Sequence, residues 1–166
     1  ASEIVCGDWS SDVCSSDLAA AANDDEALGA TMGRTVVAVF SGTGNAKRAA
    51  GIMAEELTAS GRVVETVDLA AGADIPALGK GDLLVLCSST LGFSPPSTVM
   101  ERLKAAPRSD GAEAAMLCAC GGVMMRGKIA AGWSGAASIA ALSTLRRKGW
   151  VPVGSADASY PENWTQ

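Results

Sequence analysis

An α/β domain built on a parallel sheet is what this sequence predicts, and three observations predict it. Wholly apolar runs of strand length recur at residues 34–40, 82–87 and 114–119. Stretches with apolar residues at helical spacing lie between them. The first and third runs are followed by loops rich in Gly, Ser or Thr, as is the second. Continuous apolar runs suit strands buried on both faces, and strand–helix alternation implies parallel pairing through right-handed crossovers.

The elements follow in order. Residues 34–40 (RTVVAVF) form the first strand, and Ser41, Gly42, Thr43, Gly44 and Asn45 make a tight polar loop after it. Ala46, Ala49, Ala50, Met53 and Leu57 then repeat at helical spacing, and Gly61 closes that helix. Residues 62–69 mix Val63, Val64 and Val67 with Glu65, Thr66 and Asp68, which predicts a half-exposed strand. Residues 82–87 (DLLVLC) are the third strand. Pro95 and Pro96 open a helix carrying Val99, Met100 and Leu103, proline being tolerated in a first turn. Residues 114–119 (AAMLCA) are the fourth strand. Ser134-Gly135 starts the last helix, in which Ile139, Leu142 and Leu145 are expected to face one way. Arg146, Arg147, Lys148 and Gly149 end it, and residues 150–153 are the fifth strand.

Strand composition predicts the order. The three apolar strands belong inside, the polar-mixed second strand at one edge, and the fifth at the other, since Pro152 cannot donate to a ladder. That is the order 2-1-3-4-5 of a doubly wound sheet, in which ligands bind at the strand C-termini where the order reverses, between strands one and three. The loops that meet there are residues 41–45, 88–94 and 120–127.

Composition narrows the chemistry. The chain has 166 residues, 48% apolar and 19% charged, the size and profile of one globular domain. No apolar run reaches the roughly 18–20 residues of a membrane span. There is no histidine, which removes the usual general base, the Ser-His and Cys-His nucleophile pairs and the commonest metal ligand. The chemistry is therefore expected to reside in something bound, with no side chain in a catalytic acid or base role.

Residues 8–18 (DWSSDVCSSDL) resemble one reading frame of a translated sequencing adapter. We expect residues 1–31 to be a leader, a non-native scar followed by an Ala/Asp/Glu segment, and residues 32–166 to be the domain. Seven of the 18 acidic residues precede Met32 and all 13 basic residues follow it, so the net charge of −5 becomes +2 from Met32 on. Neither nucleic-acid binding nor a strongly acidic carrier is indicated. Cys6 and Cys14 fall in the leader. Cys87, Cys118 and Cys120 lie on apolar segments, which points to a reducing compartment, expected to be the cytoplasm.

The first loop is the sharpest motif. Ser41 and Thr43 offer hydroxyls, Gly42 and Gly44 admit close approach to the backbone, and a helix N-terminus follows. These are the parts of a phosphate cradle. It is neither a Walker A loop nor G-x-G-x-x-G, because Lys47 stands where the third glycine belongs. A plain strand-to-helix turn is the competing reading.

Residues 36–45 (VVAVFSGTGN) resemble the opening strand and phosphate loop of the flavodoxin superfamily. Residues 88–99 (SSTLGFSPPSTV), 132–137 (GWSGAA), 145–150 (LRRKGW) and 160–166 (YPENWTQ) resemble a branch of it that is sometimes fused to ferredoxin modules. The resemblance implies a flavodoxin-like three-layer sandwich holding FMN, with the phosphate on Ser41, Gly42, Thr43, Gly44, Asn45 and Ala46. It places the isoalloxazine between Thr90, Leu91, Gly92 and Phe93 on one side and Gly121 and Gly122 on the other. Phe93 is the first choice for the aromatic face, Trp164 the second, while packing is the expected role of Trp133, Trp150 and Trp164. Many members carry Thr or Ser where this chain has Ala46, so one phosphate-binding hydroxyl is absent.

The resemblance further implies FMN-dependent electron transfer or reduction, with a redox partner protein that is a ferredoxin or a fused iron–sulfur module. A flavin-free interaction module of the same fold is the alternative, and Ala46 is its motive. The spacing of Cys120 and Arg126 also matches a bare Cys-x5-Arg, so a thiol phosphatase is a lesser alternative. It lacks the hydroxyl after arginine, where Gly127 stands. The Cys118-x-Cys120 pair has too few partners for a tetrahedral metal site, and ordinary burial is expected for both thiols. The sequence is expected to stop before the helix that would follow strand five, leaving an exposed apolar strip on one sheet face.

Overall fold

The computed structural model describes residues 33–91, 93–125, 128–130 and 134–161. The expected alternation is there: β1 (Thr35–Phe40), α1 (Asn45–Ala59), β2 (Val64–Asp68), β3 (Leu83–Ser89), α2 (Ser97–Ala105), β4 (Glu113–Met125), β5 (Lys128–Ala130), α3 (Gly135–Arg146) and β6 (Val151–Pro161). β2, β1, β3, β4 and β6 form a parallel sheet in that order. With β6 as the fifth parallel strand, this is the predicted 2-1-3-4-5 arrangement.

Burial explains the order. Val36, Val37, Ala38 and Val39 of β1 and Leu84, Val85, Leu86 and Cys87 of β3 are all buried, so both strands must be covered on two faces. β2 has only Val67 buried and stands at the edge beyond β1. One face of the sheet packs Val37, Val39, Leu83, Val85 and Cys87 against Ala50, Met53 and Leu57 of α1. The other packs Val36, Ala38, Leu84, Leu86, Ala114, Met116 and Cys118 against Val99 and Leu103 of α2 and Ala137, Ala141 and Leu145 of α3. Trp150 joins this second cluster at 2% exposure, its indole N–H donating to the Pro107 carbonyl at 3.1 Å. Packing is thus its role, as expected.

Three local expectations differ from what the chain does. The stripe that α3 buries is Ala137, Ser138, Ala141, Thr144 and Leu145, while Ile139 is 70% exposed. Small residues let the helix axis approach the sheet, and the helix turns its alanines rather than its larger Ile139 inward. The fifth parallel strand is longer than residues 150–153, running from Val151 to Pro161 with a register irregularity at Ala114/Ala115. Residues 120–125 are no loop: they prolong β4, whose end pairs antiparallel with β5 through Val123–Ala130, Met124–Ile129 and Met125–Lys128. On β6, Val151 and Val153 are about half exposed, at 47% and 52%. Among the described residues no helix is long and apolar enough to cross a membrane.

Candidate functional site

Three segments meet at the C-terminal crest of the sheet because the strands below them end level. Phe40 of β1 pairs with Ser88 of β3, and Ser88 with Cys118 of β4. The chain therefore leaves β1 and β3 side by side, while β4 continues upward beside them.

The loop after β1 is shaped by one short bond and one glycine. The Gly44 N–H donates to Ser41 Oγ at 3.0 Å, and Gly44 adopts φ +93° as the N-cap of α1. That conformation is open to glycine and strained for other residues. Intrahelical bonding begins only at Arg48, whose N–H donates to the Gly44 carbonyl at 2.9 Å. Among the described residues, the N–H groups of Asn45, Ala46 and Lys47 have no acceptor in the protein. They are the orphan donors of a helix start, and they carry its positive dipole end. A Cβ added at Gly42 or Gly44 would meet nothing within 4 Å, so the space before the loop is open. Free amides, exposed Thr43, and open space form a donor set that fits a phosphate. Ala46 is buried at 1% exposure and offers only its backbone.

The segment after β3 is pinned at both ends. The Thr90 N–H donates to the Ala119 carbonyl at 3.2 Å, tying it to β4. Leu91 and Ser94 exchange backbone hydrogen bonds of 2.8 and 3.1 Å across a tight turn. Phe93 in that turn has φ +66°, the one positive-φ residue other than glycine among those described. Leu91 and Phe93 are 65% and 58% exposed. A strained turn that displays two large apolar side chains is unusual unless something uses them. Gly92 lies outside the described residues.

β4 supplies the third wall. Its Ala119 carbonyl faces β3, since it accepts from Thr90. Backbone direction alternates along a strand, so Gly121 also turns its N–H and C=O to the β3 side, above the end of that strand. Gly122 turns its own toward β6, beside Pro161. The structure thus brings Ser41, Gly42, Thr43, Gly44, Asn45, Ala46, Thr90, Leu91, Phe93 and Gly121 to one crest, with Gly122 on the far edge of β4. Sequence reasoning placed Gly121 and Gly122 in a loop here and missed that they continue β4, and it missed Tyr160 of β6, which pairs with Gly121. The signal was present in Arg126-Gly127, a turn pair between Val123-Met124-Met125 and Ile129-Ala130, a hairpin pattern.

The cysteines lie beneath the crest. Cys118 is fully buried, with Sγ 3.4 Å from Ser138 Oγ, and Cys120 Sγ is 3.7 Å from Ser159 Oγ on the same sheet face. Burial pushes the Cys87 thiol up to about 12, with Cys118 adding to it. Burial also raises Cys118, against the opposing hydrogen bond from Ser138. Both thiols are held neutral, the opposite of what a nucleophile needs. Cys120 is 5% exposed within β4, and Arg126, like Trp133 and Trp164, lies outside the described residues. Ser134, N-cap of α3, is 1% exposed, and its hydroxyl lies beside the Cys118 thiol. No group of three or more His, Cys, Asp or Glu among those residues is placed to hold a metal.

No family model matches the sequence, and no curated protein is similar to it. Solved structures are. Oxidised flavodoxin 1 from Bacillus cereus superposes with a TM-score of 0.57 at 16% identity, over 78% of this chain and 86% of that one. A flavodoxin from the domain Archaea gives 0.52 at 18% identity, over 79% and 87%. The flavodiiron core of Synechocystis gives 0.54 at 16% identity, over 80% of this chain and 32% of that one. Strand order, layering and these superpositions agree: the chain has the flavodoxin-like fold.

Proposed function

We propose that this domain binds FMN at the sheet crest and serves in electron transfer or flavin-dependent reduction. The observation that carries the proposal is the start of α1, where three consecutive amides without acceptors stand behind an open Ser-Gly-Thr-Gly loop. That is a phosphate cradle at the topological switch point of a doubly wound sheet. Ser41 and Thr43 add hydroxyls, and Asn45 and Ala46 donate through the backbone. Phe93 presents an aromatic face, with Leu91 beside it, and Thr90 fixes the base of that turn. Gly121 offers a donor and an acceptor to the polar edge of a flat heterocycle, and Gly122 follows it on the β6 side. The flavin, when bound, supplies the redox chemistry, while the protein sets its orientation and surroundings. The flavodoxins among the structural neighbours support the choice of FMN at the level of fold. A flavin held at this crest, beside the exposed Leu91 and Phe93, would suit a protein redox partner, a ferredoxin or an iron–sulfur module.

The test is an absorbance spectrum of the protein after FMN addition and removal of excess. Retained flavin bands that are lost on Thr43→Val or Gly44→Val sustain the proposal. A folded, colourless protein removes it and puts the flavin-free interaction module in its place, an outcome for which the missing hydroxyl at Ala46 is the physical motive.

A further inference from the structure

The two edges of the sheet are built differently. β2, beyond β1, is five residues long and carries Glu65 and Asp68, with the Glu65 carboxylate bonded to Arg34. β6, at the other edge, runs eleven residues from Val151 to Pro161 and pairs with β4 on one side. Among the described residues nothing pairs along its other side. An open edge offers a row of backbone donors and acceptors to another strand, which short length, prolines or lysines ordinarily prevent. Pro152 and Pro161 blunt the two ends of β6. Between them residues 153–160 hold no proline, lysine or arginine, and Asp157 is their single charge. Residues 151–157 are all exposed, Val151 and Val153 among them.

Charge tells what kind of strand fits. Asp157 pairs with Cys118, whose thiol meets Ser138 of α3, so Asp157 stands on the α3 face of the sheet, toward the crest. Arg146, in the last turn of α3, lines a groove on the same face with Leu142, Pro152 and Ser155, toward the start of β6. Both are exposed, and among the described residues neither is in an ion pair. One face of this edge is thus positive at one end and negative at the other. A strand with the same two charges, laid antiparallel, meets it with opposite charges at both ends. Laid parallel, it meets like with like.

We infer that β6 pairs antiparallel with β6 of a second copy, about a two-fold axis near Ser155 and perpendicular to the sheet. Such an axis keeps α3 of both copies on one face and continues the sheet from one copy into the other. It brings Arg146 of each copy beside Asp157 of the other, forming two ion pairs. Val153, two residues from the axis, is covered. The interface is one strand edge and one helix flank from each copy, at the small end of the range and below the standard of about 800 Å² per partner, so the dimer forms reversibly with concentration. The inference is independent of the FMN reading, since the axis crosses mid-strand at the edge farthest from the loop after β1.

The experiment is sedimentation velocity on the whole chain, from micromolar to near-millimolar concentration. Wild type is compared with Val153→Lys, Arg146→Glu, Asp157→Arg and the double variant Arg146→Glu/Asp157→Arg, and circular dichroism checks that each is folded. Wild type is expected to pass from monomer to dimer. Val153→Lys sets a charge in the pairing edge and weakens the dimer by at least about tenfold. Each single charge reversal weakens it about tenfold, and the double variant returns to within about twofold of wild type, which neither a loss of fold nor a contact elsewhere produces. A wild type that stays monomeric throughout overturns the inference and leaves the edge to a strand of other origin. A dimer indifferent to Val153→Lys, or one in which the double variant is no better than the singles, overturns it as well.

Discussion

The loop after β1 and the wall made by β3 and β4 occupy the same crest but are built in opposite ways. The loop is five consecutive residues, Ser41, Gly42, Thr43, Gly44 and Asn45, whose shape is set by one internal hydrogen bond and one left-handed glycine. Its donors are free because a helix start leaves them so. The wall joins Thr90 to Ala119 and Gly121 to Tyr160, pairs far apart in sequence that meet only when the sheet has formed. A local device depends on a few backbone angles. A tertiary one depends on the stability of the strands beneath it.

Alkali is the sharpest way to separate them, and it has the largest expected effect. Cys87 and Cys118, the two raised thiols, stand in β3 and β4 under the wall. The folded state holds Cys87 neutral up to about 12, whereas its ordinary value is 9.0. Below pH 9 both folded and unfolded chains keep the proton, and the stabilisation is complete. Between pH 9 and 12 the unfolded chain loses it first, so stability falls with rising pH, by at most about 1.4 kcal/mol per pH unit for one group. Urea unfolding at pH 7, 9, 10 and 11 measures this decline, and Cys87→Ala is expected to remove most of it. A wild-type stability that is flat from pH 9 to 11 would show that these thiols are not held in a dry sheet.

At the loop, Gly44→Ala is expected to act without a clash, since a Cβ there meets nothing within 4 Å. The left-handed φ of +93° alone is strained, at about 1–2 kcal/mol. If FMN binds as proposed, its affinity falls about tenfold or more while the unfolding midpoint moves by only a few degrees. Equal binding by the variant would show that the loop's shape is not what holds the ligand.

This contrast also explains what could be read beforehand. The loop was legible because its parts are contiguous and each has a residue-level signature: hydroxyl, glycine, hydroxyl, glycine, helix. The strand order was legible because burial on two faces demands unbroken apolar runs, as in β1 and β3, and because Glu65 and Pro152 mark edges. The prolongation of β4 was not, because Gly121 and Gly122 read as loop residues until β6 pairs with them. The buried stripe of α3 was misread for a related reason. Size suggested Ile139 as the inward residue, but how near a helix lies to the sheet is fixed by what both surfaces carry, and alanines permit the closer approach.

A smaller effect tests the wall. Phe93→Gly removes a large side chain from a backbone conformation that disfavours it, at φ +66°. The apo protein is expected to gain about 1 kcal/mol or lose nothing, measured by urea unfolding, since relief of strain is set against the greater freedom of an unfolded glycine. The FMN spectrum is expected to lose the perturbation caused by an aromatic neighbour. A clear loss of apo stability would mean that Phe93 is held for packing, and that the turn is strained for the fold rather than for a ligand.

The smallest expected effect is at Ile139 of α3, and it is set against a larger one at Ala141. Ile139, 70% exposed, already keeps most of its surface in water, so Ile139→Gln is expected to change stability by less than about 0.5 kcal/mol. Ala141 is fully buried against the sheet, and Ala141→Leu is expected to cost about 1–3 kcal/mol, because the helix must move outward or the new side chain must leave its preferred rotamers. The pair reverses the ranking that side-chain size alone gives. It also bears on the crest, since Ser134 and Ser138 at the start of α3 pack against Cys118 in β4. An outward shift of α3 loosens that contact and with it the lower support of the third wall, while the loop after β1, on the other face of the sheet, is untouched. Ring-end spectral change with FMN still bound in Ala141→Leu is therefore the signature of a site whose two ends rest on different parts of the fold.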